Sequence, residues 1–159
     1  MSGCIILSGN GVDFVDPDTG YTPLIVATIQ GKLEVIKVFM ERGAHIDYQE
    51  THKQRTAMIL AAKHGQSSCL EELLKRGAMV NAVDKYQMTA LMYASREGHA
   101  DCVYILLNRM AGINNTDESG YTAAHYASKF GHSRVVELLY DRGASLEIRD
   151  NKEGMFAAL

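Results

Sequence analysis

The stretch TALMYASREGHADCVYILLNRMA, residues 89–111, decides how this chain is read. Within it, Arg96 to Cys102 bring together an arginine, a glutamate, a histidine, an aspartate and a cysteine. Alone, that cluster reads as a metal site or as a thiol beside its base. Three other segments align with it without a gap over 23 residues: TPLIVATIQGKLEVIKVFMERGA from Thr22, TAMILAAKHGQSSCLEELLKRGA from Thr56 and TAAHYASKFGHSRVVELLYDRGA from Thr122. Successive starts lie 34, 33 and 33 residues apart. A fixed period of this length marks a stacked repeat.

Each recurring column has a physical reason. Thr22, Thr56, Thr89 and Thr122 stand where an N-cap hydroxyl accepts a backbone N–H. Pro23 takes the first helical position, where its missing donor is no loss. Ala27, Ala61, Ala94 and Ala127 keep a short first helix slim, and Gly31, Gly65, Gly98 and Gly131 end it in the left-handed conformation. A second helix follows with apolar residues three and four apart, as in Cys69, Leu70, Leu73 and Leu74. Gly43, Gly77 and Gly143 stop it. Met110 stands in that column in the third copy, which predicts a distorted helix end there. The connectors ahead of Thr22 and Thr56 are one residue longer than the one ahead of Thr89, which predicts bulged turns.

These columns resemble the ankyrin repeat family: the period, a T-P-L-H-x-A-type start, a G-H-x-x-V-V-type second helix and a G-A ending. The resemblance covers nearly the whole chain, with local departures. Alanine (Ala57, Ala90, Ala123) replaces proline in three copies, and the family histidine survives as His125. It implies an all-α repeat solenoid of ankyrin-type helix–turn–helix units joined by β-turn or hairpin connectors. The array reads as residues 1–21 (the end of a second helix plus a connector), repeats at 22–55, 56–88, 89–121 and 122–154, and a truncated start at 155–159. Terminal units of such arrays normally carry polar caps. Ile5, Ile6, Phe156 and Leu159 are apolar instead. The chain therefore reads as a piece of a longer array, with truncated half-repeats serving as caps the alternative.

Composition narrows the function. The chain has 159 residues, is 47% hydrophobic and 22% charged, and carries a net charge of −3, so no global attraction draws it to nucleic acid or anionic lipid. No apolar run approaches the ~20 residues of a membrane span. Three scattered cysteines, Cys4, Cys69 and Cys102, make no disulfide framework, so the expected location is intracellular, cytoplasmic or nuclear.

The chemical reading of the opening cluster then weakens. Cys102 shares its column with Val35, Cys69 and Val135, the pattern of a small core residue. His99 and His132 open second helices, where an imidazole satisfies loop backbone groups. His45, His52 and His64 surround one connector without a cysteine or carboxylate at ligand spacing. No phosphate loop, zinc-finger spacing or nucleophile elbow is present. The chain reads as a non-enzyme with no cofactor and no metal.

Function is expected in the columns that vary. The resemblance implies that connector tips and the concave helix face bind another protein or an extended peptide. The candidates at the tips are Tyr21, His52, Lys53, Arg55, Lys85, Tyr86, Met88 and Tyr121. At the ends of the first helices they are Lys63, His64, Arg96, Glu97, Lys129 and Phe130. Tyr93 and Tyr126 line either the groove or the core. Tyrosine and methionine are favoured at interfaces, although the tyrosines equally suit bracing between connectors. The basic cluster His52, Lys53, Arg55, Lys63 and His64 between acidic flanks points to a partner with an acidic centre. Arg55→Glu with Tyr86→Ala is expected to weaken such binding without lowering the melting temperature. A second reading makes the array a substrate for asparagine hydroxylation, which the resemblance implies for connector asparagines such as Asn81 and Asn114.

Overall fold

The computed structural model describes the backbone of residues 5–6 and residues 11–145. Its order is β1 (Ile5–Ile6), β2 (Phe14–Val15), then eight helices: α1 (Pro23–Ile29), α2 (Leu33–Glu41), α3 (Ala57–Lys63), α4 (Ser67–Lys75), α5 (Ala90–Glu97), α6 (Ala100–Asn108), α7 (Ala123–Lys129) and α8 (Ser133–Asp141). Each first helix starts as its threonine predicts. The hydroxyls of Thr22, Thr56, Thr89 and Thr122 accept from the N–H three residues on, at 3.4, 3.2, 3.3 and 3.4 Å. The odd-numbered helices pack on one another in sequence to form one layer, and the even-numbered helices form the second. Between the layers Met58, Ile59, Leu70, Leu73, Leu91, Met92 and Leu106 are fully buried. The fold is the all-α repeat solenoid.

The glycines at the end of each first helix have two tasks. Gly31, Gly65, Gly98 and Gly131 all have φ near +70 to +79, a region open to glycine at little cost. At Gly65 an added Cβ would also meet the His99 ring at 2.8 Å. That closeness lets the next repeat clasp the helix end: His99 Nε2–H donates to the Lys63 carbonyl at 3.1 Å and His132 Nε2–H to the Arg96 carbonyl at 2.9 Å. Gln66 does the same for Ile29, at 2.9 Å. Cys102 is a buried free thiol, pushed up to about 12 by burial and the nearby Asp101. The cluster that opened the reading is a joint between repeats.

Met110 corrects one expectation. The end of α6 is not distorted: Ala111 N–H donates to Leu106 O at 3.0 Å, as Ala78 does to Leu73 and Ala144 to Leu139. Met110 simply adopts the glycine conformation, φ 62, at a steric cost of about 1 kcal/mol. Its side chain is 84% exposed and holds nothing in place. Met110→Gly is expected to stabilise the fold by about 0.5–1 kcal/mol, read as a higher urea midpoint at unchanged slope.

Ser95 is the reverse case. It is fully buried and its Oγ has no hydrogen-bond partner among the described residues. Its column neighbour Thr28 bonds its own helix at 2.7 Å, and Ala62 carries no hydroxyl. Ser95→Ala removes an orphaned polar group and is expected to raise stability by about 1 kcal/mol, seen as a higher melting temperature.

The amino end departs from the reading as the end of a second helix. Ile5–Ile6 form a short strand paired antiparallel with Phe14–Val15. β-Branched residues favour that state. Val35 is 43% exposed while its counterparts Cys69, Cys102 and Val135 are buried; among the described residues no helix pair stands before α1 and α2. The expected truncated repeat at 155–159 lies outside the described residues, as do Phe156 and Leu159.

Candidate functional site

The connectors fold into hairpins built on an acidic column, buried at Glu50 and Asp84 and half-buried at Asp16 and Asp117. Asp16, Glu50, Asp84 and Asp117 each donate a backbone N–H to the carbonyl of the residue preceding the capping threonine, all at 3.0–3.1 Å. In the two longer connectors the turn closes from Gly20 to Asp16 and from Gln54 to Glu50, four residues apart. In the shorter ones it closes from Gln87 to Asp84 and from Gly120 to Asp117, three apart. The extra residue is absorbed in the turn. Successive hairpins are then tied together: Lys85 N–H donates to Lys53 O at 3.0 Å, and Glu118 N–H to Tyr86 O at 3.2 Å.

The side chains of Glu50, Asp84 and Asp117 turn back under their hairpins. Glu50 is wholly buried and accepts from His52 N–H at 2.7 Å, Lys53 N–H at 3.0 Å and Arg55 Nε at 3.0 Å. Burial pushes its carboxyl up, but the Lys53 N–H, the Arg55 guanidinium and the His52 N–H together hold it below the usual carboxylate range. Asp84 accepts from Tyr86 and Met88 N–H, both at 2.9 Å, and from the Tyr93 hydroxyl at 2.7 Å. Asp117 likewise accepts from Ser119 and Tyr121 N–H and from the Tyr126 hydroxyl. Burial and these carboxylates raise both phenols well above their ordinary range.

This arrangement buries part of the expected binding set. Arg55, Met88, Tyr93 and Tyr121 are buried, Arg55 at only 7% exposure. The residue before each threonine turns back under its hairpin rather than standing at the tip. Arg55 pairs with Glu50, and its Nη2 reaches the half-buried Tyr21 hydroxyl at 3.5 Å. Tyr121 packs against His125 and Tyr126, with ring centroids 5.5 Å away in each case. This column braces the hairpins from within.

The remaining candidates do reach the surface. His52, Lys53, Lys85 and Tyr86 are exposed at the tips; His64, Glu97, Lys129 and Phe130 are exposed at the first-helix ends, with Lys63, Arg96 and Tyr126 half-buried. Lys63, Arg96 and Lys129 occupy one column on consecutive repeats. Arg96 stacks over the Tyr93 ring at 5.5 Å and Lys129 over the Tyr121 ring at 5.1 Å, contacts in which the ring face attracts the cation. Burial lowers the Lys63 amine, and Arg55, Lys53 and Arg96 lower it further. His64 is lowered by burial and then by Lys63 and Arg55. The carboxylate that acts on them, Glu97, pairs with Arg96 at 3.0 Å, and Glu50 is spent on Arg55. Lys63 and Lys129 have no ion pair among the described residues.

A second column was only half visible in the sequence. Asp13, Asp47, Asn81 and Asn114 each accept, through a side-chain oxygen, the backbone N–H of His45, Met79, Gly112 and Ser145 in the next repeat, at 2.8–3.0 Å. Asn81 and Asn114 are therefore clasps between repeats. Their recurrence at the repeat period is the signal that exposes the role. Among the described residues no three His, Cys, Asp or Glu side chains gather as a metal site, and no helix is long and apolar enough to cross a membrane.

A helical solenoid with a constant, interlocked frame and a variable charged face defines a class: a repeat scaffold for recognition. The chain belongs to the ankyrin repeat family, whose model for ankyrin repeats matches residues 3–84 and 78–150. It is 32% identical over 82 residues to ankyrin repeat and SOCS box protein 6 of Mus musculus, which covers 51% of this chain and 20% of that protein. It is 39% identical over 61 residues to E3 ubiquitin-protein ligase XB3 of Oryza sativa subsp. japonica, covering 38% of this chain and 13% of that one. Ankyrin repeat and SAM domain-containing protein 6 of Mus musculus is 38% identical over 71 residues, 45% of this chain and 8% of that one. The chain thus matches a fifth or less of the length of these relatives. Ankyrin repeats are protein-interaction modules, and the family is generally non-catalytic.

Proposed function

We propose that the chain is a non-catalytic recognition module that holds another protein, or an extended peptide with an acidic centre, against the first-helix ends and hairpin tips. The observation that carries this reading is Lys63: a half-buried amine set among Arg55, Lys53 and Arg96, opposed only by Glu97, which pairs with Arg96, and with no ion pair of its own among the described residues. Such a group is under-compensated in the free protein and gains from a ligand carboxylate. The frame around it is rigid, since the carbonyls of Lys63 and Arg96 are each clasped by the next repeat.

Within a longer protein the module would recruit a substrate or a scaffold partner, in keeping with relatives whose names pair ankyrin repeats with other domains or denote ubiquitin ligases. The unpaired buried thiols Cys69 and Cys102 support a reducing setting, cytoplasm or nucleus. The test is affinity capture with the intact array and with Lys63→Glu/Lys129→Glu. Proteins retained by the first and lost by the second, at unchanged melting temperature, are the expected result. Identical captured sets would remove this surface from the reading.

A further inference from the structure

We infer that the ligand of this face is a polyproline-II segment carrying a carboxylate at every third residue, its acids seated over Lys63, Arg96 and Lys129. This deepens the reading of an acidic partner and rests on it. The argument is one of register. The three cations sit at the ends of α3, α5 and α7, which pack side by side in order. Packed helices lie about 8–10 Å apart, so the backbone positions that carry these cations recur at that interval. A polyproline-II helix returns to the same side every three residues and rises about 3.1 Å per residue, hence about 9.3 Å per turn. A β-strand returns to the same side every two residues, about 6.6 Å, and falls out of step by the second cation. An α-helix comes back to the same side at about 5.4 Å or, after two turns, about 10.8 Å, to either side of the interval.

The rest of the surface suits the same conformation. Aromatic-lined grooves receive proline-rich segments. Here Tyr126 and Phe130 are accessible beside the charged column, while Tyr93 floors it under Arg96. The fourth member of the column is Ile29, with no charge to offer, so the charged track ends at α3. Arg96 uses its Nε on Glu97 and keeps its terminal nitrogens for a ligand. Lys63 and Lys129, the two cations without an ion pair among the described residues, flank it.

The test uses the whole chain and two synthetic peptides of equal composition, three glutamates and six prolines. In one the glutamates stand at every third position; in the other they are consecutive in the centre. Titration followed by NMR is expected to show the spaced peptide binding about tenfold tighter, with its advantage lost on Lys129→Glu. Lys129 is exposed, so that variant keeps its fold; Lys63→Glu, checked by circular dichroism, should act alike. Equal affinity for the two peptides overturns the three-residue register and leaves an acidic partner standing. If neither peptide binds at millimolar concentration although the array captures a partner sensitive to Lys63→Glu/Lys129→Glu, the polyproline-II ligand is overturned and the recognition face is not.

Discussion

Arg55→Glu is expected to lower the free energy of unfolding by about 3–5 kcal/mol, the range for breaking a buried ion pair by removing one partner. Glu50 is wholly buried and Arg55 nearly so, with Nε and Oε1 3.0 Å apart. Charge reversal places two carboxylates where one already depends on a guanidinium. Chemical denaturation should show a much lower midpoint, and Tyr86→Ala, at an exposed tip, should not. This reverses the expectation that an Arg55→Glu/Tyr86→Ala pair leaves the melting temperature unchanged. Acid tells the same story. Glu50 is held below its unfolded pKa, so its contribution is complete above the unfolded carboxylate range and is lost as the pH falls through the folded value. Stability should decline on acidification more steeply in the wild type than in Glu50→Gln, which has no such charge to lose.

Asp84→Ala is expected to lower stability by about 3 kcal/mol. One buried carboxylate serves three donors, the N–H groups of Tyr86 and Met88 and the Tyr93 hydroxyl. Deletion strands all three, at about 1 kcal/mol or more each. Tyr93→Phe removes a single bond and should cost about 1–2 kcal/mol. The ordering of the two variants is the check: equal losses would mean the turn holds without its aspartate.

The contrast between helices and hairpins explains what was legible in the sequence. Helix starts, helix ends and the core columns repeat at a fixed period and rest on local chemistry: a threonine hydroxyl, a left-handed glycine, apolar residues three and four apart. Those signals need no knowledge of neighbours. The direction of a connector side chain does. Tyr21, Arg55, Met88 and Tyr121 look like tip residues from their place near the turn, yet they share the position before the threonine and lie buried or half-buried there, Arg55 on Glu50. Tyr86, three residues before its threonine, shares their chemistry and not their register. The buried Glu50–Arg55 pair was hidden because a glutamate and an arginine five apart in a polar loop ordinarily read as solvated. Met110 misled in the other direction. A non-glycine residue can take a left-handed φ when the rest of the helix end is strongly specified, and here the end stays regular.

What remains specific to this chain is the charged column across the helix ends, built on a frame that each repeat locks for the one before it. The most direct measurement is a hydrogen-exchange footprint of the full chain with a captured partner bound. Binding on this face predicts protection at the ends of α3, α5 and α7 and at the 52–53 and 85–86 tips, with Tyr104 and Tyr140 on the opposite helix layer unchanged. Protection confined to α4, α6 and α8 would contradict it.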